Sequence, residues 1–158
     1  IGPRNGGNLI AQVTEYATSV NMVDYTIQAA MGGDCSDLKM VEPRGFWSNY
    51  MVHSKESGIL KSVYVSEELK EKNIVEFEML FHPGDVIDAF TGTNGTLGTM
   101  ILKFSSQEEM LYKMDHMEKF VKVIVEPTEL SGGVLPYKRL DCSFPALPLL
   151  LPCGRCAV

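Results

Sequence analysis

Two stretches of this 158-residue sequence combine residue types and spacings that could do chemistry. The first is the opening run Ile1-Gly2-Pro3-Arg4-Asn5-Gly6-Gly7-Asn8, which places an arginine, two amides and three glycines just before an apolar-periodic segment. Amides at a helix start carry partial positive charge, and a guanidinium makes paired bonds to phosphate or carboxylate, so such a run can hold an anion. The same composition also describes a Gly-rich linker whose arginine is merely solvated. The second stretch is Cys153-Gly154-Arg155-Cys156, which with Cys35 and Cys142 could offer four thiolates to zinc. Only one pair is closely spaced, the wrong pattern for two zinc knuckles; a disulfide among the tail cysteines and free thiols are the other readings. His53, His82 and His116 are scattered over an expected strand, turn and helix, as surface or internally satisfied histidines are. Gly92, Gly95 and Gly98 superficially suggest a phosphate loop, but the run lacks the Gly-Lys-Ser/Thr ending and lies between strands, which fits a hairpin better. No Ser/His/Asp or Cys/His nucleophile arrangement has local support.

Regular elements must position these groups. Leu9, Ile10, Val13, Tyr16, Ala17 and Val20 fall three and four apart, which predicts a helix over about 9–19 with Asn8 as its N-cap. Asn21 caps a second helix, with Val23, Ile27, Ala30 and Met31 as its buried face and Gly32-Gly33 as its stop. From Phe46 the period changes to alternation: Trp47, Asn49, Met51 and His53 face one way, and Ser48, Tyr50, Val52 and Ser54 the other. Ile59 to Val65 repeats the pattern after Ser57-Gly58. Ser66 starts a short capped helix, and Ile74, Phe77, Met79 and Phe81 mark a further strand ended by a type II turn at His82-Pro83-Gly84-Asp85. Val86 to Phe90 and Gly98 to Phe104 flank Asn94-Gly95, a hairpin signal, so the middle of the chain reads as an antiparallel meander. Ser105 or Ser106 caps a helix to about Met117, with Met110, Leu111, Met114 and Met117 inward, and Val121, Val123 and Val125 form a last strand. The acid pairs Glu67-Glu68 and Glu108-Glu109 sit at helix starts, where negative charge is favoured. The fold class is α+β: two N-terminal helices, then an antiparallel sheet with one or two packed helices.

Several of these residues, taken in order, resemble the closing part of the ATP-grasp ligases, a superfamily that includes biotin carboxylase, carbamoyl-phosphate synthetase, phosphoribosylamine–glycine ligase and the L-amino acid ligases. The resemblance lies in Arg4-Asn5-Gly6-Gly7-Asn8-Leu9-Ile10, in Tyr16 to Val23, and in the second helix ending at Met31-Gly32. It extends through Gly58-Ile59-Leu60, Gly84-Asp85-Val86 and Leu97 to Phe104, and on to about Val125, so it covers most of residues 1–126. In that family a strand carries Glu-x-Asn-x-Arg. The resemblance puts Arg4 on the arginine, implying a catalytic contact to the acyl phosphate or incoming substrate, and makes Asn5 and Asn8 neighbours able to add amide contacts. The motif's asparagine, a magnesium ligand, falls on Gly2, which has no side-chain oxygen; its glutamate would stand just before Ile1. The family's glycine-rich loop, nucleotide-contacting lysine and metal-holding carboxylates have no substitute in residues 1–158.

The resemblance therefore implies the C-terminal fragment of an ATP-dependent ligase that activates a carboxylate as an acyl phosphate and transfers it to an amine or similar nucleophile. ATP and magnesium serve the full-length parent, the fragment alone is expected to be inactive, and the family default is the cytoplasm. The expected division is 1–33, the end of the ATP-grasp domain; 34–126, a C-terminal antiparallel lobe; and 127–158, a tail. That tail holds five of the eight prolines and three of the four cysteines, and it carries +1 charge against −7 for residues 1–126. It reads as a family-specific extension or as sequence foreign to the natural protein. Its apolar run Phe144 to Leu151 is expected to pack on its own domain or on a second copy, giving self-association. The net charge of −6 leaves no basic footprint for nucleic acid, and no apolar run approaches a membrane span. The alternatives are a non-catalytic interaction domain and, third, a small zinc-binding module.

Overall fold

The computed structural model describes residues 7–92 and 95–127. Arg4, Asn5 and Gly2, the tail from 128, and with it Cys142, Cys153, Cys156 and the Phe144–Leu151 run, lie outside the described residues. Two helices, α1 (Ile10–Thr18) and α2 (Met22–Ala30), precede β1 (Phe46–His53), β2 (Gly58–Val65), α3 (Glu67–Lys72), β3 (Ile74–Met79), β4 (Val86–Ile87), β5 (Thr96–Phe104), α4 (Gln107–Asp115), α5 (Met117–Phe120) and β6 (Val121–Glu126). The α+β class is as expected.

The strands form two antiparallel three-stranded sheets, ordered β1-β5-β3 and β4-β2-β6, in place of one meander. Consecutive strands β1 and β2 enter different sheets, as do β4 and β5, so Asn94-Gly95 does not join a hairpin of paired strands. Burial explains the exchange. β5 is buried at every position but Lys103, and a strand of that kind belongs at the centre of a sheet with a partner on each edge. β1 and β3 take those edges. Val52, Leu60, Val65, Leu69, Ile87, Leu97, Met100, Leu102, Phe104, Met117 and Val121 form the core that both sheets share.

Local signals account for most element ends. Asn21 Oδ1 accepts from the amides of Val23 and Asp24, both at 3.0 Å, and Gly32 leaves α2 at φ +76°. Ser66 and Ser106 cap α3 and α4. The turn at His82 closes through the Asp85 amide at 3.0 Å with Gly84 at φ +99°, as a type II turn requires. Replacing Asn21 by alanine should cost about 1 kcal/mol of α2 stability, seen as faster hydrogen exchange at Val23 and Asp24; unchanged exchange would show that the cap adds nothing.

Four side-chain expectations are corrected. Asn8 is not the α1 cap, because it is itself left-handed (φ +55°) and the cap position, Leu9, makes no side-chain capping bond. Neither α1 nor α2 has a buried residue: Val23, Ile27 and Met31 are exposed, since an apolar stripe is buried only where another element covers it. Leu111 likewise faces out, while Met117 is buried and Met110 and Met114 pack against the core. A register shift between Val52 and His53 breaks the alternation, so His53 packs on Tyr50 and Phe90 instead of lying with Met51.

Gly58 opens β2 at φ +156°, where a Cβ would strike the Glu126 carbonyl and lie 2.6 Å from Val125 Cγ1. Gly58→Ala should force β2 from β6 and cost about 1–3 kcal/mol, lowering the urea midpoint at constant slope. An unchanged midpoint would mean that the two strands separate freely at this end.

Candidate functional site

Alternation and register define a second face of the β1-β5-β3 sheet, opposite the core. Trp47 lies opposite Lys103, Asn49 opposite Ile101 and Met51 opposite Thr99, with Glu76 beside Ile101. α1 and the turn leading into it lie on this face. Tyr16 stacks on Trp47 with centroids 5.1 Å apart, and its hydroxyl donates to Glu76 Oε1. That hydrogen bond holds the Tyr16 phenol above the ordinary tyrosine range. Lys103 Nζ sits 5.2 Å from the Trp47 ring centroid. The 43–45 loop completes the brace: the Arg44 amide donates to the Ala17 carbonyl at 2.7 Å, and Trp47 Nε1 donates to the Arg44 carbonyl at 2.8 Å. A cleft of about 360 Å³ remains between α1, β1 and α4, lined by Val13, Ala17, Phe46, Trp47 and Met110.

The turn itself is unusual. Asn8 and Leu9 are consecutive non-glycine residues at φ +55° and +63°. Asparagine tolerates this conformation, but a leucine there costs about 1–2 kcal/mol. Asn49 Nδ2 donates to the Asn8 carbonyl at 3.0 Å, and Asn8 Nδ2 donates to Met51 Sδ at 3.0 Å. Of the three residues singled out from the sequence, Asn8 lies in the turn before α1 with its amide engaged by Met51 of β1, while Arg4 and Asn5 lie outside the described residues. Asn49, Trp47, Tyr16 and Glu76 were not anticipated as part of this region; the polar Asn49 among apolar positions on one strand face was the available signal.

A buried cation was also missed. Lys113 is 5% exposed, and its Nζ lies 2.7 Å from Asn73 Oδ1, 2.9 Å from Glu109 Oε1 and 3.1 Å from Glu68 Oε1. Desolvation, the largest influence on its pKa, acts downward, but the bonds to Glu109 and Glu68 outweigh it and the pKa is raised. Glu109 is held at about 2 by Ser105 first and then by Lys113, the Ser105 amide and Asn73. Glu68 and Glu109 at these two helix starts do more than complement helix dipoles: through Lys113 they tie α3 to α4, and Glu109 also accepts from Asn73 at the end of α3. The Glu109–Lys113 spacing of four was the sequence sign.

Other candidate groups stay apart. His53 Nδ1 lies 2.9 Å from the Met51 carbonyl, His82 lies in an exposed turn and His116 follows α4. Cys35 Sγ rests 3.8 Å from the Tyr25 carbonyl. Among the described residues no group of three or more His, Cys, Asp or Glu could hold a metal ion, and no helix is long and apolar enough to cross a membrane.

The family model of the L-amino acid ligase C-terminal domain 2 matches residues 50–126. No curated protein matches the sequence. Among solved structures, the L-amino acid ligase from Bacillus licheniformis is similar at 18% identity and a TM-score of 0.65, covering 78% of this chain and 31% of that one. Phosphoribosylglycinamide synthetase from Anaerococcus prevotii is similar at 22% identity and a TM-score of 0.57, covering 77% of this chain and 31% of that one. At these identities the likeness shows the fold, and this chain spans under a third of either structure's length. Residues 50–126 are thus similar to the L-amino acid ligase C-terminal domain 2, and the chain shares the fold of the corresponding part of both ligases.

Proposed function

We propose that the chain is the C-terminal portion of an ATP-dependent ligase that activates a carboxylate, an L-amino acid by the name of the matched family, as an acyl phosphate and transfers it to an amine. The observation that carries the reading is the family match over residues 50–126. The lobe's second face, with α1 and the turn after Arg4 docked on it, supports it.

The chemistry needs charge stabilisation more than proton transfer. As an amine attacks an acyl phosphate, negative charge gathers on the carbonyl oxygen and the departing phosphate. Arg4 suits that task because a guanidinium stays protonated and offers a planar fork of donors. Asn5 is a neighbouring amide for the same anion. Asn8 is spent on Met51 and Asn49, which makes its part structural.

ATP and magnesium belong to the longer polypeptide. Gly2 stands where the family motif has its metal-binding asparagine, and the described residues hold no metal cluster. No cluster among the described residues fits a magnesium site, and on this reading the chain alone is expected to be inert, with small-molecule substrates met only in the complete enzyme. The coding sequence ahead of Ile1 tests the reading: a glutamate directly before Ile1, with a lysine and a glycine-rich loop further back, is the expected result. Absence of both would leave the non-catalytic interaction domain as the better account.

A further inference from the structure

Strand β6 ends the β4-β2-β6 sheet with one side unpaired. The Phe120 carbonyl accepts the Ser66 amide on the β2 side, and Leu60, opposite Val125, uses its own amide and carbonyl with Asp85 and Gly84 beside β4. Alternation from these two points turns the N–H and C=O groups of Val121, Val123 and Val125 away from β2, to the free edge. No backbone bond among the described residues meets them there. Every residue from Val121 to Val125, of both facings, borders an open cleft of about 430 Å³, as an uncovered strand edge does. Such an edge is a template for pairing, and proteins blunt it with prolines, bulges or lysines. β6 contains no proline, and the extra residue of its ladder lies in β2, between Leu60 and Ser62. It does carry Lys122, but Lys122 is matched by Glu126 on the same outer face, with Ile124 between them at 49% exposure.

We propose that β6 pairs antiparallel with β6 of a second copy of this chain about a twofold axis at Ile124, joining two three-stranded sheets into one of six strands. In that register each edge-facing Val123 meets Val125 of the second copy and exchanges both N–H···O bonds with it. Lys122 then stands directly opposite Glu126 of the second copy, on both sides of the axis, and Ile124 covers its own counterpart. Sliding the strands by two residues keeps the backbone bonding but sets Lys122 or Glu126 against Ile124, so charge selects one register. Both charged groups are open to this use: Lys122 has no ion-pair partner among the described residues, and Glu126 meets Lys61 through Oε2. Exposed ion pairs add little affinity, whereas like charges directly opposite one another are destabilising. The strand edge and Ile124 therefore supply the attraction, and the charges decide which partner is accepted.

The test is sedimentation velocity on the polypeptide that contains this chain, as wild type and as charge variants. The wild type should show a concentration-dependent dimer. Lys122→Glu and Glu126→Lys each place like charges opposite one another twice, and each should weaken the dimer by about tenfold or more, with thermal midpoints near wild type because both residues are exposed. Mixed in equal amounts, the two single variants should form a heterodimer within about threefold of the wild-type affinity, since every facing pair is again opposite in sign. The Lys122→Glu/Glu126→Lys double variant should dimerise alone for the same reason. A wild type that stays monomeric at about 100 μM, where pairs with micromolar dissociation constants associate, would overturn the proposal and leave Lys122 as a guard of the edge. Single variants that dimerise like the wild type would also overturn it, by placing the contact on another surface, as would a mixture that shows no heterodimer.

Discussion

Replacing Arg4 by alanine in the ligase polypeptide is expected to lower kcat by about 100- to 1,000-fold, the range measured when one preorganised donor to a developing oxyanion is removed. The loss should appear in kcat and kcat/KM together, because an arginine facing the acyl phosphate acts on charge that exists only after activation and grows during transfer. KM for ATP should stay close to wild type. Arg4→Lys should recover little: an ammonium is a point charge on a flexible stem and cannot reproduce the paired N–H geometry of a guanidinium. Steady-state ADP release with saturating carboxylate and amine measures this. An Arg4→Ala enzyme within threefold of wild type would show that the first segment is the solvated linker its composition also allows.

The second large effect concerns stability. Lys113→Met keeps most of the apolar stem but withdraws the charge that Glu109, Glu68 and Asn73 Oδ1 share. Breaking a buried pair by removing one partner costs about 3–5 kcal/mol. Here the lower end applies, because the side chains of Glu68 and Glu109 are 50% and 24% exposed and solvent screens what remains. Urea denaturation of the two proteins at neutral pH measures the difference; a shift below about 0.5 kcal/mol would mean that the network is replaceable by water.

The same network gives stability a pH dependence of defined sign. Glu109 is lowered from 4.5 to about 2 in the folded protein. A carboxyl depressed on folding stabilises fully above its unfolded pKa, and the contribution is lost as pH falls through its folded one. The wild type should therefore lose stability progressively from about pH 4.5 towards pH 2, and its advantage over Lys113→Met should narrow across that window. A constant gap would show that Lys113 does not contribute to holding Glu109 ionised.

Local features were legible in the sequence because they are set by residues close in the chain. Asn21, Ser66 and Ser106 announce helix starts, Pro83-Gly84 a turn, and Trp47, Asn49 and Met51 one face of a strand. Pairing was less legible. Nothing local says that Trp47 meets Lys103 or that β5 takes the centre of its sheet, although the consecutive apolar residues Met100-Ile101-Leu102 were the available hint. Asn8 shows the limit most clearly. Its type and position suit an N-cap, but a tertiary bond from Asn49 outweighs that preference and turns it left-handed. The apolar stripes of α1 and α2 were correctly periodic, yet periodicity cannot say which surface, if any, covers them.

The most direct test of the acyl phosphate claim follows the oxygen atoms. The ligase polypeptide containing this chain is incubated with MgATP and an equimolar mixture of the twenty common L-amino acids labelled with ¹⁸O in their carboxylates, and the nucleotide and phosphate products are analysed by mass spectrometry. Attack of a carboxylate oxygen on the terminal phosphorus, followed by displacement by an amine, must carry one labelled oxygen into inorganic phosphate and leave ADP unlabelled. That is the predicted result. Label appearing in AMP, or phosphate released without label, would contradict it.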